Sequence, residues 1–198
     1  MFEALNITHY ITSLLLLFSI SHAQEGCTGP RNVAELADTL WGEQSQYKQM
    51  KYVRPNVSKL EQSNKTANPA HADADNANLQ MHVLSVKNVN QQREDMEMVV
   101  YLREQWNDFR LKFNTESDGG CFLDNEMIGF DTDVIDSIWT PHVVLSNLAD
   151  EEIKMASSLW IYPDGDVVYT EYLLLKSSCQ LDLKKFPGDV QTCSIVVG

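Results

Sequence analysis

Alternating apolar and polar residues predict β-strands in the middle of the chain. The clearest alternation spans Met96–Gln105, and a polar turn at Asn88–Asp95 joins it to an earlier apolar stretch, Leu79–Val86. Because successive side chains on a strand point to opposite faces, the later strand should have an apolar face and a mixed face. We expect the mixed face, with Tyr101 and Arg103, to point outward. The apolar positions, which we expect in the core, are Met96, Met98, Val100 and Leu102.

A second pair of strands follows later in the chain. Leu159–Tyr162 and Val167–Leu175 are rich in branched and aromatic residues, and the turn-forming stretch Pro163–Asp166 separates them. Such a pattern is typical of a β-hairpin. With the two earlier strands, it favours a protein built mainly from β-sheet.

One helix is predicted near the N-terminus. Asn32 followed three residues later by Glu35 resembles a helix N-cap. The apolar residues that follow recur at helical spacing, at Val33, Leu36, Ala37, Leu40 and Trp41. We expect this helix to fray through Gln44–Gln49 and to end before Pro55. Residues 56–78 are polar and rich in Asn, Ala and Asp, which predicts a surface loop.

The first residues read as a secretory signal peptide. Ile11–Ile20 is an apolar run of ten residues, which is too short to span a bilayer, and Ser21–Ala23 has the small-x-small pattern of a cleavage site. We expect residues 1–23 to be removed and residues 24–198 to reach an oxidising compartment. Asn56 and Asn64 then lie in glycosylation acceptor sequences. After the signal we find no apolar run of about 18 residues or more, so we expect no membrane crossing within the chain as given.

Composition excludes several classes of function. The chain has 198 residues, enough for one domain, and a net charge of −13 with a pI near 4.6. A nucleic-acid surface needs clustered Lys and Arg, so nucleic acid is not an expected partner. We find no nucleophile–base constellation or phosphate loop and therefore expect no enzymatic activity. Neither Cys-x-x-Cys nor closely spaced His pairs occur, so we expect no structural zinc and no cofactor.

The segment Cys179–Cys193 carries the most specific motif, with the sequence C-Q-L-D-L-K-K-F-P-G-D-V-Q-T-C. It resembles the signature loop of the Cys-loop receptor family, the pentameric ligand-gated ion channels. The positions that match are Cys179, Leu181, Leu183, Phe186, Pro187, Asp189 and Cys193. The resemblance implies a disulfide between the two cysteines, which would close a loop of about fifteen residues and add roughly 3 kcal/mol of stability.

The same resemblance implies a fold and a coupling role. Family members have an extracellular, immunoglobulin-like β-sandwich with one N-terminal α-helix, which binds a small ligand between subunits above four membrane helices. In that scheme Phe186, Pro187 and Asp189 form a tip that presses on the membrane helices and couples ligand binding to pore opening. The turn Asn88–Asp95 would lie beside this tip. Cys27 and Cys121 remain, and the sequence leaves open whether they bond to each other or serve separately.

One face of the ligand site is also implied by resemblance. Residues 101–111 are similar to the second strand of GABA- and glutamate-gated chloride channels. There the position of Tyr101 lines the ligand site, and that of Arg103 binds the carboxylate of the agonist. Trp106 is interpreted as a core residue. The hairpin resembles the complementary-face strands of the same branch, with Thr170 at the position of a ligand-site hydroxyl and Leu159 and Trp160 lining the opposite strand.

The other face of the site departs from the family. Residues 138–147 resemble the Trp-x-Pro-Asp…Asn segment that carries the first principal-face binding loop. His142 stands where the family has aspartate, and Val144 and Ser146 occupy positions that hold a ligand-facing tyrosine in different branches. A missing aromatic wall makes a cationic amine agonist less favourable. His142 could titrate near neutral pH, bind a metal ion, or serve only a structural role.

These observations predict an all-β ligand-binding domain from a subunit of a pentameric ligand-gated channel, of the chloride-selective branch. The resemblance covers roughly residues 30–198 and stops before the later binding loops and the membrane helices, so we expect a sandwich incomplete at its C-terminal side. Expected partners are other subunits and a small-molecule or ion agonist, with the membrane reached only through the missing part. The full-length subunit would lie at the plasma membrane. The alternative is a secreted, truncated subunit that acts as a decoy or modulates assembly.

Overall fold

An antiparallel sheet of five strands organises the chain. The computed structural model describes residues 26–43, 45–63, 72–150, 152–186 and 188–198. The strands lie in the order β1-β2-β5-β4-β3, and each is antiparallel to its neighbours. Their bounds are β1 Ala77–Asn90, β2 Asp95–Asn107, β3 Ile128–Phe130, β4 Ile153–Ile161 and β5 Asp166–Ser178.

The predicted strands are present but longer than expected. The first hairpin keeps pairing down to Asn90 opposite Asp95, so the turn shrinks to residues 91–94. Its polar residues looked like a loop in the sequence, yet they pair across the strands, as Asn88 does with Glu97. β4 likewise begins at Ile153, six positions before the predicted start at Leu159.

Alternation along β2 separates the two faces of the sheet, as the sequence predicted. Met98, Val100 and Leu102 are buried on the inner face, and Met96 is partly buried beside them. Tyr101 and Arg103 lie on the outer face, half-buried. The inner face of β2 therefore contributes to the core.

A second layer of chain covers part of the inner face of the sheet. Leu145, Leu148 and Ile195 pack against the apolar cluster of Met98, Val100, Leu102, Leu173 and Leu175. The backbones of Leu145 and Val197 pair antiparallel across this layer. A sheet covered in this way, with a helix at its N-terminal side, is the β-sandwich class that the sequence predicted.

In the described residues, three helices precede the sheet. In α1, Val33–Trp41, the side chain of Asn32 accepts a hydrogen bond from the Glu35 amide (3.0 Å), which confirms the predicted cap. The expected fraying through Gln44–Gln49 is wrong, because α2 occupies Gln46–Met50. Ser45 caps α2 through its hydroxyl, which accepts from the Tyr47 amide (3.1 Å).

Residues 56–78 do not form one loop, because α3 spans Pro55–Ser63. Proline suits the first position of a helix, where its missing N–H costs nothing. A distant residue completes the helix start: the Asp75 carboxylate accepts from the Asn56 amide (2.9 Å) and pairs with Arg54 (3.1 Å). Asn64 and the proposed signal, residues 1–23, lie outside the described residues, and glycosylation stays a prediction.

Both disulfides are formed. Cys179 bonds to Cys193, which confirms the pairing implied by the family resemblance. Cys27 bonds to Cys121, which settles the alternative left open by the sequence. The Thr28 amide also donates to the Gly119 carbonyl (2.7 Å), so the segment before α1 is fixed to the body of the domain.

A buried ion pair joins the helices to the sheet. Asp108, which has no exposed surface, accepts from Arg110 at both carboxylate oxygens, at 2.7 and 2.6 Å. The other guanidinium nitrogen of Arg110 donates to the carbonyl of Met50, the last residue of α2, and to that of Val53 just beyond it (2.8 and 2.7 Å). The Tyr47 hydroxyl donates to Asp108 (2.8 Å) and stays protonated, because burial, followed by the nearby Asp108 carboxylate, raises the pKa of the phenol.

We expect Asp108→Ala to lower the free energy of unfolding by about 3–5 kcal/mol, because it leaves the Arg110 charge buried without its partner. Chemical denaturation of the purified chain measures this loss. The control is Lys48→Ala, which breaks an exposed ion pair with Glu43 and should leave the free energy nearly unchanged. Equal effects of the two substitutions would contradict the structural role of the buried pair.

Candidate ligand-binding site

Strand register brings polar side chains into a row across the outer face. Arg103 on β2 lies opposite Gln80 on β1 and Thr170 on β5, and Thr170 lies opposite Ser158 on β4. Directly opposite residues share one face of a sheet and lie close enough for their side chains to interact. Arg103 and Thr170, which the sequence singled out separately, are therefore neighbours. Gln80 and Ser158 were not predicted.

An aromatic row lies beside the arginine row. Two positions along each strand, about 7 Å away, Tyr101 lies between His82 on β1 and Tyr172 on β5. The ring centroid of Tyr101 is 5.1 Å from that of Tyr172, edge to face, and 6.1 Å from that of His82. The sequence predicted only Tyr101, because nothing local to His82 or Tyr172 marks them as its neighbours.

Trp160 closes the other side of the arginine row. It lies on the outer face of β4, opposite Val168 on β5 and Gly129 on β3. A Cβ atom at Gly129 would lie 2.9 Å from Cζ3 of the indole, so the ring sits directly on the glycine backbone. Because Gly129 has no side chain, the indole ring has room to pack against its backbone.

Leu159 is a correction to the predicted site. It is only 1% exposed and belongs to the core cluster that contains Trp106, on the inner face. Adjacent residues on a strand point to opposite faces, so Leu159 and Trp160 cannot both line the outer face. Trp106 is buried in the core as predicted.

Among the described residues, the Arg103 side chain has no hydrogen-bond or ion-pair partner. Its Nε atom is buried without a hydrogen bond, and within the described part of the chain no carboxylate forms an ion pair with the side chain. Three of the other four arginines pair with an aspartate, namely Arg54, Arg93 and Arg110. An arginine offers a planar fork of donors that matches a carboxylate, so this position is suited to bind one from another molecule.

The three predicted principal-face residues share one side of their segment. His142, Val144 and Ser146 are exposed and alternate with partly buried residues. The backbone of Val144 exchanges two hydrogen bonds with Gly198 (3.1 and 2.9 Å). This segment packs, through Leu145, on the inner side of the sheet. The structure therefore does not bring these residues together with the row of Arg103 on the outer side.

His142 borders a cleft of about 470 Å³ that also includes Lys51, Tyr52 and Trp139. The ammonium group of Lys51 donates to the carbonyl of Asp136 at the edge of this cleft (3.0 Å). Among the residues that the structure describes, no group of three or more His, Cys, Asp or Glu side chains could hold a metal ion. Nothing in the geometry supports a metal-binding role for His142.

The Cys179–Cys193 loop starts against the turn between β1 and β2. The Cys179 amide donates to the carbonyl of Glu94 in that turn (2.7 Å). Gln191 ties the two sides of the loop together, since its amide exchanges hydrogen bonds with the Asp182 backbone (both 2.9 Å) and donates to Asp189. Phe186 is 64% exposed, and Pro187 lies outside the described residues. The loop base thus lies next to the turn, and the Phe186 side chain is available for contact.

Comparison with known proteins identifies the class of this domain. The sequence model of the neurotransmitter-gated ion-channel ligand binding domain matches residues 57–198, which is more than half of the chain. The chain therefore belongs to this family, which consists of receptor domains and not enzymes. In the described residues no helix is both long and apolar enough to cross a membrane.

A curated relative gives a second comparison. The chain is similar to acetylcholine receptor subunit beta-like 1 of Drosophila melanogaster, with 35% identity over 113 residues. The aligned part covers 56% of this chain and 20% of the relative. The chain thus matches about a fifth of the length of that protein. The predicted chloride-selective branch is not confirmed by this similarity.

We expect Gly129→Ala to displace the Trp160 indole from the outer face, because the added methyl would overlap the ring. The indole N–H resonance of Trp160, assigned with a Trp160→Phe variant, should shift in the proton NMR spectrum. Gly26→Ala is the matched control, since a Cβ there meets no atom within 4 Å. An unchanged Trp160 resonance in Gly129→Ala would contradict the packing described here.

Proposed function

We propose that this chain is the extracellular ligand-binding part of a subunit of a pentameric ligand-gated channel, and that its outer face binds the carboxylate of a small amino-acid agonist. The observation that carries this proposal is the unpartnered guanidinium of Arg103. The protein has a net charge of −13, and three of its five arginines pair with aspartates. An arginine left without a carboxylate in so acidic a chain is suited to receive one from a ligand.

The neighbours of Arg103 fit an agonist of this kind. Thr170 lies directly opposite and can add a hydroxyl to the contacts of the carboxylate. Tyr101 and Tyr172 lie about 7 Å along the strands, where their rings could hold the apolar or positively charged remainder of the molecule. These residues favour an amino-acid agonist, and with it the chloride-selective branch.

The second half of the site comes from a neighbouring subunit in this proposal. His142, Val144 and Ser146 lie on the other side of the sheet from Arg103, so one chain cannot close both halves around one ligand. If subunits are arranged in a ring, the segment with these three residues would face the outer face of the next subunit. Ligand binding would favour one arrangement of this interface, and the Cys179–Cys193 loop with Phe186, Pro187 and Asp189 would pass the change to the membrane part.

A cationic amine agonist is the second candidate. The observation that favours it is the name of the Drosophila relative, an acetylcholine receptor subunit. The aromatic row of His82, Tyr101 and Tyr172 could contribute to an ammonium site. A positive guanidinium next to that row would repel such a ligand, which is why we favour the carboxylate.

We expect Arg103→Ala to weaken an amino-acid agonist about ten- to a hundredfold, because the carboxylate loses a charge-assisted contact. Dose–response curves measure this in channels formed by a full-length subunit that contains residues 24–198. Arg103→Lys keeps the charge without the planar fork and should give an intermediate loss. Arg31→Ala, which removes an exposed arginine before α1, is the control.

Two outcomes would overturn the choice of agonist. A cationic amine that activates the channel and gains potency in Arg103→Ala would favour the second candidate. An activation curve that moves in His142→Ala but not in Arg103→Ala would instead point to gating by protons or a metal ion. Either result would leave the fold and the family unaffected.

A further inference from the structure

A largely buried glutamate lies directly behind the proposed ligand-binding face. Glu104 follows Arg103 on β2 but points to the inner face, where its residue is only 9% exposed. Its neighbours across the strands are Leu79 on β1 and Tyr169 on β5. Within the described residues its side chain makes no hydrogen bond or ion pair.

The charged groups around Glu104 do not balance a negative charge on its carboxylate. Lys154 on β4 lies 2.5 Å from the Glu171 carboxylate on β5 and donates to the Tyr169 hydroxyl (2.8 Å). That hydroxyl in turn donates to Glu171 (2.8 Å). Lys154 and the Tyr169 hydroxyl therefore both interact with Glu171. Glu152, just before β4, adds a further negative charge. β1 contributes only the apolar side chain of Leu79 at this position.

This environment disfavours a negative charge on Glu104. Burial has the largest effect, the carboxylates of Glu171 and Glu152 add to it, and Lys154 opposes it. Together they raise the pKa of Glu104 to about 7. An unfolded glutamate titrates near 4.3, so the folded chain holds this proton more tightly than the unfolded chain does.

We propose that the Glu104 carboxyl is a proton-binding site inside the sheet, and that the gain or loss of this proton controls the stability of the strand that carries Arg103. With the proton bound, the carboxyl group is neutral, and its burial costs little free energy. Without it, an unpaired charge faces two further carboxylates. The stabilising effect of the proton is fully present below the unfolded pKa and is lost as pH rises through about 7. This inference goes beyond the proposed function and does not depend on which agonist binds.

The test compares thermal unfolding of the chain and two variants between pH 5.5 and 8.5. Glu104→Gln is a neutral mimic of the protonated side chain. It should unfold above the unsubstituted chain, and this difference should widen by on the order of 5 °C between pH 5.5 and pH 8.5, where the folded chain loses the proton. Glu97→Gln, on the same strand but on the outer face, is the matched control and should follow the pH dependence of the unsubstituted chain.

A direct titration decides the case if Glu104→Gln fails to fold. The side-chain carboxyl carbon of Glu104, followed by carbon-13 NMR in the unsubstituted chain, should titrate with a midpoint near 7. A midpoint in the ordinary range of about 4–5 would overturn the proposal. A parallel pH dependence of unfolding in Glu104→Gln and the unsubstituted chain would overturn it as well.

Discussion

The buried pair of Asp108 and Arg110 is the constraint on which the arrangement of this domain depends. Two buried charges are stable in a protein interior when they pair with each other and make further hydrogen bonds, as Asp108 and Arg110 do here. Arg110 donates to carbonyls at the end of α2 and just beyond it. Tyr47 connects Asp108 to the backbone of Trp139, whose amide donates to the tyrosine hydroxyl (2.9 Å). One hydrogen-bonded network thus holds α2, the end of β2 and the start of the segment that leads to His142 in a single relative position.

Side chains alternate between the two faces of the sheet along β2, so neighbouring residues lie in different environments. Arg103 and Glu104 are consecutive, yet one lies on the face proposed to bind the ligand and the other lies in the interior. The same rule separates Trp160 from Leu159 on β4. A proton on the inner face and a ligand on the outer face would therefore act on the same strands without touching each other. In the proposed site, a neighbouring subunit would supply the contacts on the other side of a ligand held by Arg103.

The sequence predicted what depends on local pattern. The alternation along β2, the cap at Asn32 and the Cys179–Cys193 disulfide could all be inferred from short stretches of chain or from a family motif. The helix α3 was missed because the residue that caps it, Asp75, lies far along the sequence. The contributions of Gln80, His82 and Tyr172 depend on strand register, which no single segment contains. The wrong assignment of Leu159 came from reading two neighbours on one strand as if they shared a face.

The central proposal is that the guanidinium of Arg103, which pairs with no carboxylate of the described residues, binds the carboxylate of an agonist. The most direct measurement is a cryo-electron microscopy structure of the assembled receptor with its agonist bound. The account predicts a ligand carboxylate within about 2.7–2.9 Å of the Arg103 nitrogens, between Tyr101 and Trp160. A structure in which Arg103 pairs with an acidic side chain of the receptor while the agonist binds elsewhere would contradict it.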